Sequence, residues 1–186
     1  MKLIFSSLFM AILFISCQPP ADNSVNEAFE NNSKVALAEI EGWENESMDY
    51  DAVYASDALF YPTGFNSPDS VTLDETKENN AKMWAGFDFE LLHDPVFLPG
   101  VNAETNLADG SVRYYGVWKV TLPATDSTEE RSGNLKLYES FDFDSEGKIA
   151  YQQAFGDFGG LFNHLMSTED DTESDTSEEG EAEAAE

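Results

Sequence analysis

The stretch Phe141–Leu165, "FDFDSEGKIAYQQAFGDFGGLFNHL", decides the fold, because its first half has two incompatible readings. Asp142, Asp144, Glu146 and Gly147 fall where a calcium loop of the EF-hand kind would place ligands and its tight turn. The twelfth position of such a loop needs a bidentate carboxylate, and here it is the neutral Gln153. The flanking residues alternate apolar and polar, the rhythm of strands, whereas an EF-hand needs helices on both sides. Asp-Ser-Glu-Gly is turn chemistry, with Gly147 free to take a positive φ. The stretch therefore reads as a β-hairpin, and Phe143 is expected to pair with Ile149. A regular register then sets Phe141 against Tyr151, Glu139 against Gln153 and Leu137 against Phe155.

Other strands show the same twofold rhythm. In "VRYYGVWKVTL" Val112, Tyr114, Gly116, Trp118, Val120 and Leu122 share one face, opposed by Arg113 and Lys119. In "FDFELLHDPVF" the odd positions Phe87, Phe89, Leu91, His93 and Phe97 make one face, which points His93 inward. Upstream the period is helical. Phe29, Val35, Leu37, Ile40 and Trp43 predict a helix over about 25–46, and Asp49 can cap a short second one. Thr72 with Glu75 three residues on is a capping box opening a third helix that ends near Gly86. Helices followed by one-faced strands predict an α+β fold: a curved antiparallel sheet packed on N-terminal helices.

The ends of the chain are not fold. Residues 1–16 carry Lys2 and an apolar run too short for a confident membrane span, the pattern of a secretory signal. Cys17, the single cysteine, stands at the cleavage point, and the spacing resembles a bacterial lipobox. That resemblance implies lipidation of Cys17, a tether over 17–24 and a place in the bacterial cell envelope. Residues 167–186 are an acidic tail with no apolar anchor, expected to stay disordered. The net charge of −28, with nine Lys plus Arg against 37 Asp plus Glu, excludes nucleic-acid binding, which depends on basic side chains releasing counterions. Two histidines without ligand-like spacing give no metal site, and no phosphate-binding glycine loop points to a cofactor.

Taken together, "DYDAVYASDALFYP", "VRYYGVWKV", "YESFDFDSEGKI" and "FGDFGGLFNHL" resemble the nuclear-transport-factor-2-like superfamily, and within it the SnoaL-like branch related to polyketide cyclases. The resemblance covers 25–166. It implies a cone of sheet closed by helices, a mostly apolar pocket at the open end, and frequent homodimers. SnoaL-like cyclases use an aspartate in a segment resembling D-x-x-G-L-x-x-Q-L; here Asp157, Gly160, Leu161 and Leu165 match, and His164 replaces the Gln. Ketosteroid isomerases place a base just before a proline, where this chain has Tyr61 before Pro62.

His93, Glu139 and Asp157 each interrupt an apolar face, and burial would bring a carboxyl and an imidazole toward neutral pKa, where proton transfer is efficient. The expected site thus has Asp157 as acid/base, with His93 and Glu139 as its polar partners. Tyr61, Trp84, Tyr114, Trp118 and Gln153 are expected to line the pocket. The expected ligand is a small apolar or amphipathic molecule. Three uses stay open: binding alone, a cofactor-independent cyclase, isomerase or hydratase, and an interaction module without catalysis.

Overall fold

A computed structural model describes residues 23–167. The signal segment, Cys17, most of the tether and all but the first residue of the acidic tail lie outside the described residues. The first helix, α1 (Ser24–Glu44), takes up the last residue assigned to the tether. It is followed by α2 (Tyr50–Val53), β1 (Tyr54–Phe60), β2 (Val71–Thr72) and α3 (Leu73–Gly86). Then come β3 (Asp88–Leu91), β4 (Val96–Val101), β5 (Ala108–Leu122), β6 (Arg131–Phe143), β7 (Ile149–Phe155) and α4 (Phe158–Met166).

The helix starts obey local chemistry. Asp49 accepts from Ala52 N at 3.1 Å, and Thr72 and Glu75 close the capping box, with Thr72 N donating to Glu75 Oε2 at 2.9 Å. The hairpin turn is equally local. Asp144 Oδ1 accepts from Glu146 N at 2.8 Å and Lys148 N at 3.0 Å, and Gly147 takes φ 79°. The carboxylate that a calcium loop would spend on metal is spent on the turn.

The architecture is α+β, helices packed on a curved sheet of seven strands in the order β2-β1-β7-β6-β5-β3, with β4 also paired to β5. The sheet is mixed rather than wholly antiparallel. β1 runs parallel to β7, with Tyr54 beside Ile149 and Phe60 beside Gln152. The connection between them includes α3 and five intervening strands, ample for the crossover that parallel neighbours require.

β5 carries the expected inward face: Val112, Tyr114, Trp118 and Val120 are buried, and α1 packs across them. Gly116 faces inward too, and Tyr114 folds over it so that Trp118 Nε1 donates to Tyr114 Oη at 2.9 Å. A Cβ on Gly116 would overlap the Tyr114 ring and hydroxyl. Gly116→Ala is therefore expected to lower unfolding free energy by about 2 kcal/mol in urea titration, through overpacking.

The segment read as one long strand is two. β3 pairs with β5 at Trp118–Thr121 and β4 at Ala108–Tyr115, so both share one edge of β5 and the chain must break between them. The break falls at 92–95 and carries His93, which is exposed. Its inward placement is thereby corrected: alternation fixes a side only while the strand continues.

The second correction is register. Phe143 does pair with Ile149, but Asp142 then pairs with Tyr151, so Ala150 is an extra residue in β7. Beyond this bulge Phe141 faces Gln152, Ser140 faces Gln153 and Glu139 faces Ala154. One extra residue exchanges the two glutamines: Gln152 is buried, while Gln153 accepts from Tyr151 Oη at 2.8 Å on the other face.

Candidate functional site

Between the concave sheet face and helices α1, α3 and α4 lies a cavity of about 220 Å³. Its lining is apolar and strongly aromatic, with Trp43, Tyr54, Phe60, Phe89, Trp118 and Phe162 among its walls. The polar groups at its inner surface include Glu139 of β6, Gln152 of β7 and the Tyr54 hydroxyl of β1.

These three converge on a fourth group, Glu39 of α1, which is 0% exposed. Glu139 and Gln152 are 6% and 8% exposed. Gln152 Nε2 donates to Glu39 Oε1 at 3.2 Å and to Glu139 Oε1 at 3.3 Å, so one amide bridges two buried carboxyls. The Tyr54 hydroxyl stands 2.8 Å from Gln152 Oε1, to which it donates, and 3.2 Å from Glu39 Oε1.

Proton counting constrains this network. Tyr54 has one proton and two neighbouring acceptors, so its contact with Glu39 needs a proton from Glu39. Reversing the Gln152 amide would aim its carbonyl at both carboxyls and demand a proton from each. In either orientation every contact is satisfied only with Glu39 protonated. Electrostatics agree. Burial pushes Glu39 up to about 7 from an ordinary 4.5, against the lowering effect of hydrogen bonds from Gln152 and Tyr54. Burial, then the charge of Glu39, hold Glu139 well above the carboxylate range, against the Gln152 hydrogen bond. Glu39 Oε2 is buried with no hydrogen-bond partner, a position that an uncharged oxygen tolerates better than an ionised one.

The chemistry open to this arrangement is to donate a proton or hydrogen bond from Glu139 into an apolar cavity, and to take one back. Among the described residues no group of three or more His, Cys, Asp or Glu is placed to hold a metal ion.

Neither a family model nor a curated protein matches the chain. Solved structures do. A candidate polyketide cyclase from Silicibacter sp. TM1040 superposes with a TM-score of 0.55 at 17% identity, covering 75% of this chain and 98% of that one. A candidate SnoaL-like polyketide cyclase from Shewanella putrefaciens CN-32 gives 0.52 at 15%, covering 87% and 97%. A nuclear-transport-factor-2-like protein from Burkholderia xenovorans LB400 gives 0.53 at 12%, covering 73% and 96%. The fold is SnoaL-like. At these identities the likeness is one of fold.

Within the SnoaL-like fold the expected site residues separate. Glu139 and Trp118 reach the cavity. Tyr114 is buried in the core, folded over Gly116, and is not among the residues lining the cavity. Trp84 stacks edge-on against Trp43 at 5.5 Å, behind the wall, and Tyr61 packs on Tyr151 at 4.7 Å. Gln153 gives its place to Gln152 through the bulge.

Asp157, assigned as the acid/base, is exposed and caps α4, accepting from Gly160 N at 2.9 Å. The D-x-x-G match thus lies at a helix start, where an aspartate satisfies a free N–H. His164 also sits on the surface, its Nε2 3.2 Å from Ser132 O. Asp157→Ala should lower stability by about 1 kcal/mol in denaturant titration and leave cavity binding unchanged.

The group that sequence reasoning missed is Glu39. Its signal was present, since it stands three residues after Ala36 and four before Trp43, on the buried stripe of α1.

Proposed function

We propose that the cavity binds a small, mainly apolar molecule whose single polar end meets Glu139. The observation that carries this is an open apolar cavity of about 220 Å³ with a buried carboxyl at its wall and a second one behind it. Pure interaction modules need no such space, and ligand sites are commonly apolar clefts with a few convergent polar groups. Trp43 and Trp118 both line the cavity, so tryptophan emission reads its occupancy directly. A panel of apolar compounds of graded size should give saturable emission changes, and each bound compound should raise the melting temperature. A Leu137→Trp chain, its cavity filled, should show neither effect. Full retention of binding in that variant would sink the proposal.

A second reading is favoured by the carboxyl pair itself: a cofactor-independent cyclase, isomerase or hydratase. Its acid/base would be Glu139 in place of Asp157, because only Glu139 touches the space a substrate would fill. Turnover lost in Glu139→Gln and kept in Asp157→Asn is the expected pattern.

The chain is proposed to work at the bacterial envelope, tethered through lipidated Cys17. The apolar run, the small residue before Cys17 and the polar tether support this. A Cys17→Ala chain remaining in the membrane fraction would contradict it.

A further inference from the structure

We infer that the cavity takes a hydrophobic organic cation, an ammonium compound of small size, with Glu139 as its counter-charge. This rests on the reading of the cavity as a ligand site and names the class of ligand.

The lining includes no Lys, Arg or His. An anion entering this apolar lining would find no positive group to neutralise it and would oppose any ionisation of the two carboxyls at its wall. A neutral apolar molecule would fill the space but gain nothing from the converging carboxyls. A cation uses both features. Aromatic rings line the space, and the cation–π attraction such rings offer strengthens when water is excluded. Glu139 then supplies a full charge in the same space. At longer range, a chain of net charge −28 attracts cations and repels anions on approach.

Binding must move a proton. The groups facing Glu139 are Glu39 from α1, Tyr54 from β1, Tyr114 from β5 and Gln152 from β7, and none is cationic. Burial among them, then the charge of Glu39, raises the Glu139 carboxyl and favours its protonated form. A permanent positive charge beside it favours the carboxylate, so the proton leaves to solvent as the cation enters. The balance is one cation in, one proton out.

Size sets a further limit. A cavity of about 220 Å³, filled at the packing density of protein interiors, holds roughly ten non-hydrogen atoms.

The test uses the full-length chain at pH 6.5 and three probes of similar bulk: benzyltrimethylammonium, its uncharged carbon counterpart neopentylbenzene, and phenylacetate. Binding is followed by tryptophan emission, and proton release in weakly buffered solution. Benzyltrimethylammonium should bind at least tenfold tighter than neopentylbenzene and release about one proton, while phenylacetate should not bind. In Glu139→Gln the preference should fall several-fold, to what the rings alone supply, with neopentylbenzene binding retained. Should that variant fail to fold, Trp118→Leu should weaken the ammonium several-fold more than the hydrocarbon. Neopentylbenzene binding as tightly as the ammonium in the wild-type chain would overturn the cation and leave the ligand site standing. A tenfold preference that survives Glu139→Gln would also overturn it, by placing the cation elsewhere on this acidic surface. Binding by none of the three probes would overturn both the cation and the ligand site.

Discussion

Between pH 5.5 and 7.5 the unfolding free energy of this chain is expected to fall by about 2 kcal/mol through Glu39 alone. The sign follows from proton occupancy. Unfolded, the Glu39 carboxyl titrates near its ordinary 4.5; folded, burial holds it at about 7. Between those values the native state keeps a proton that the unfolded state has released, so rising pH favours unfolding. The contribution is whole below the unfolded value and is lost as pH passes through about 7. Glu139 is shifted in the same direction and extends the loss to higher pH. Urea titrations across the window measure the slope. Glu39→Gln replaces the carboxyl by an amide of similar shape that cannot ionise, and should remove most of the dependence. A slope unchanged in that variant would show that the network does not hold the proton.

Phe141→Ala is expected to cost about 4 kcal/mol, the range for a large aromatic removed from a packed core. Phe141 is 0% exposed, two residues from Glu139 on the same face of β6, and its strand partners are Val112 and Gln152. It is the apolar packing next to the carboxyl network. Its removal should therefore have a second effect that an ordinary core truncation lacks. Water admitted beside Gln152 would relieve the desolvation that raises Glu39 and Glu139. The variant should be less stable at every pH, and its loss of stability between pH 5.5 and 7.5 should be shallower than in the parent chain. Urea titration at the two pH values separates the effects. A large cost with an unaltered pH slope would mean that Phe141 shields the core but not the carboxyls.

Much of the fold could be read from the residues because its determinants are local. Asp49, the Thr72–Glu75 box and the Asp144–Gly147 turn are each satisfied within a few residues. The inward face of β5 was legible because a long uninterrupted strand keeps its alternation. The site was legible only where such continuity held, at Glu139 and Trp118. His93 was misplaced because two strands share one edge of β5, a fact of pairing with a segment some twenty residues away. Asp157 was misread because a helix cap and a buried acid are the same residue type, distinguished by what lies above them.

The order of helices and strands, the turn at Asp144–Gly147 and the α+β class belong to the sequence itself, since short-range hydrogen bonds and apolar rhythm suffice to specify them. Which carboxyls meet, and whether they keep a proton, belong to the tertiary structure. The Ala150 bulge turns Gln152 inward, and α1 lays Glu39 against it from 113 residues away in the chain. A proton is retained there because packing removes water, and no single segment carries that information.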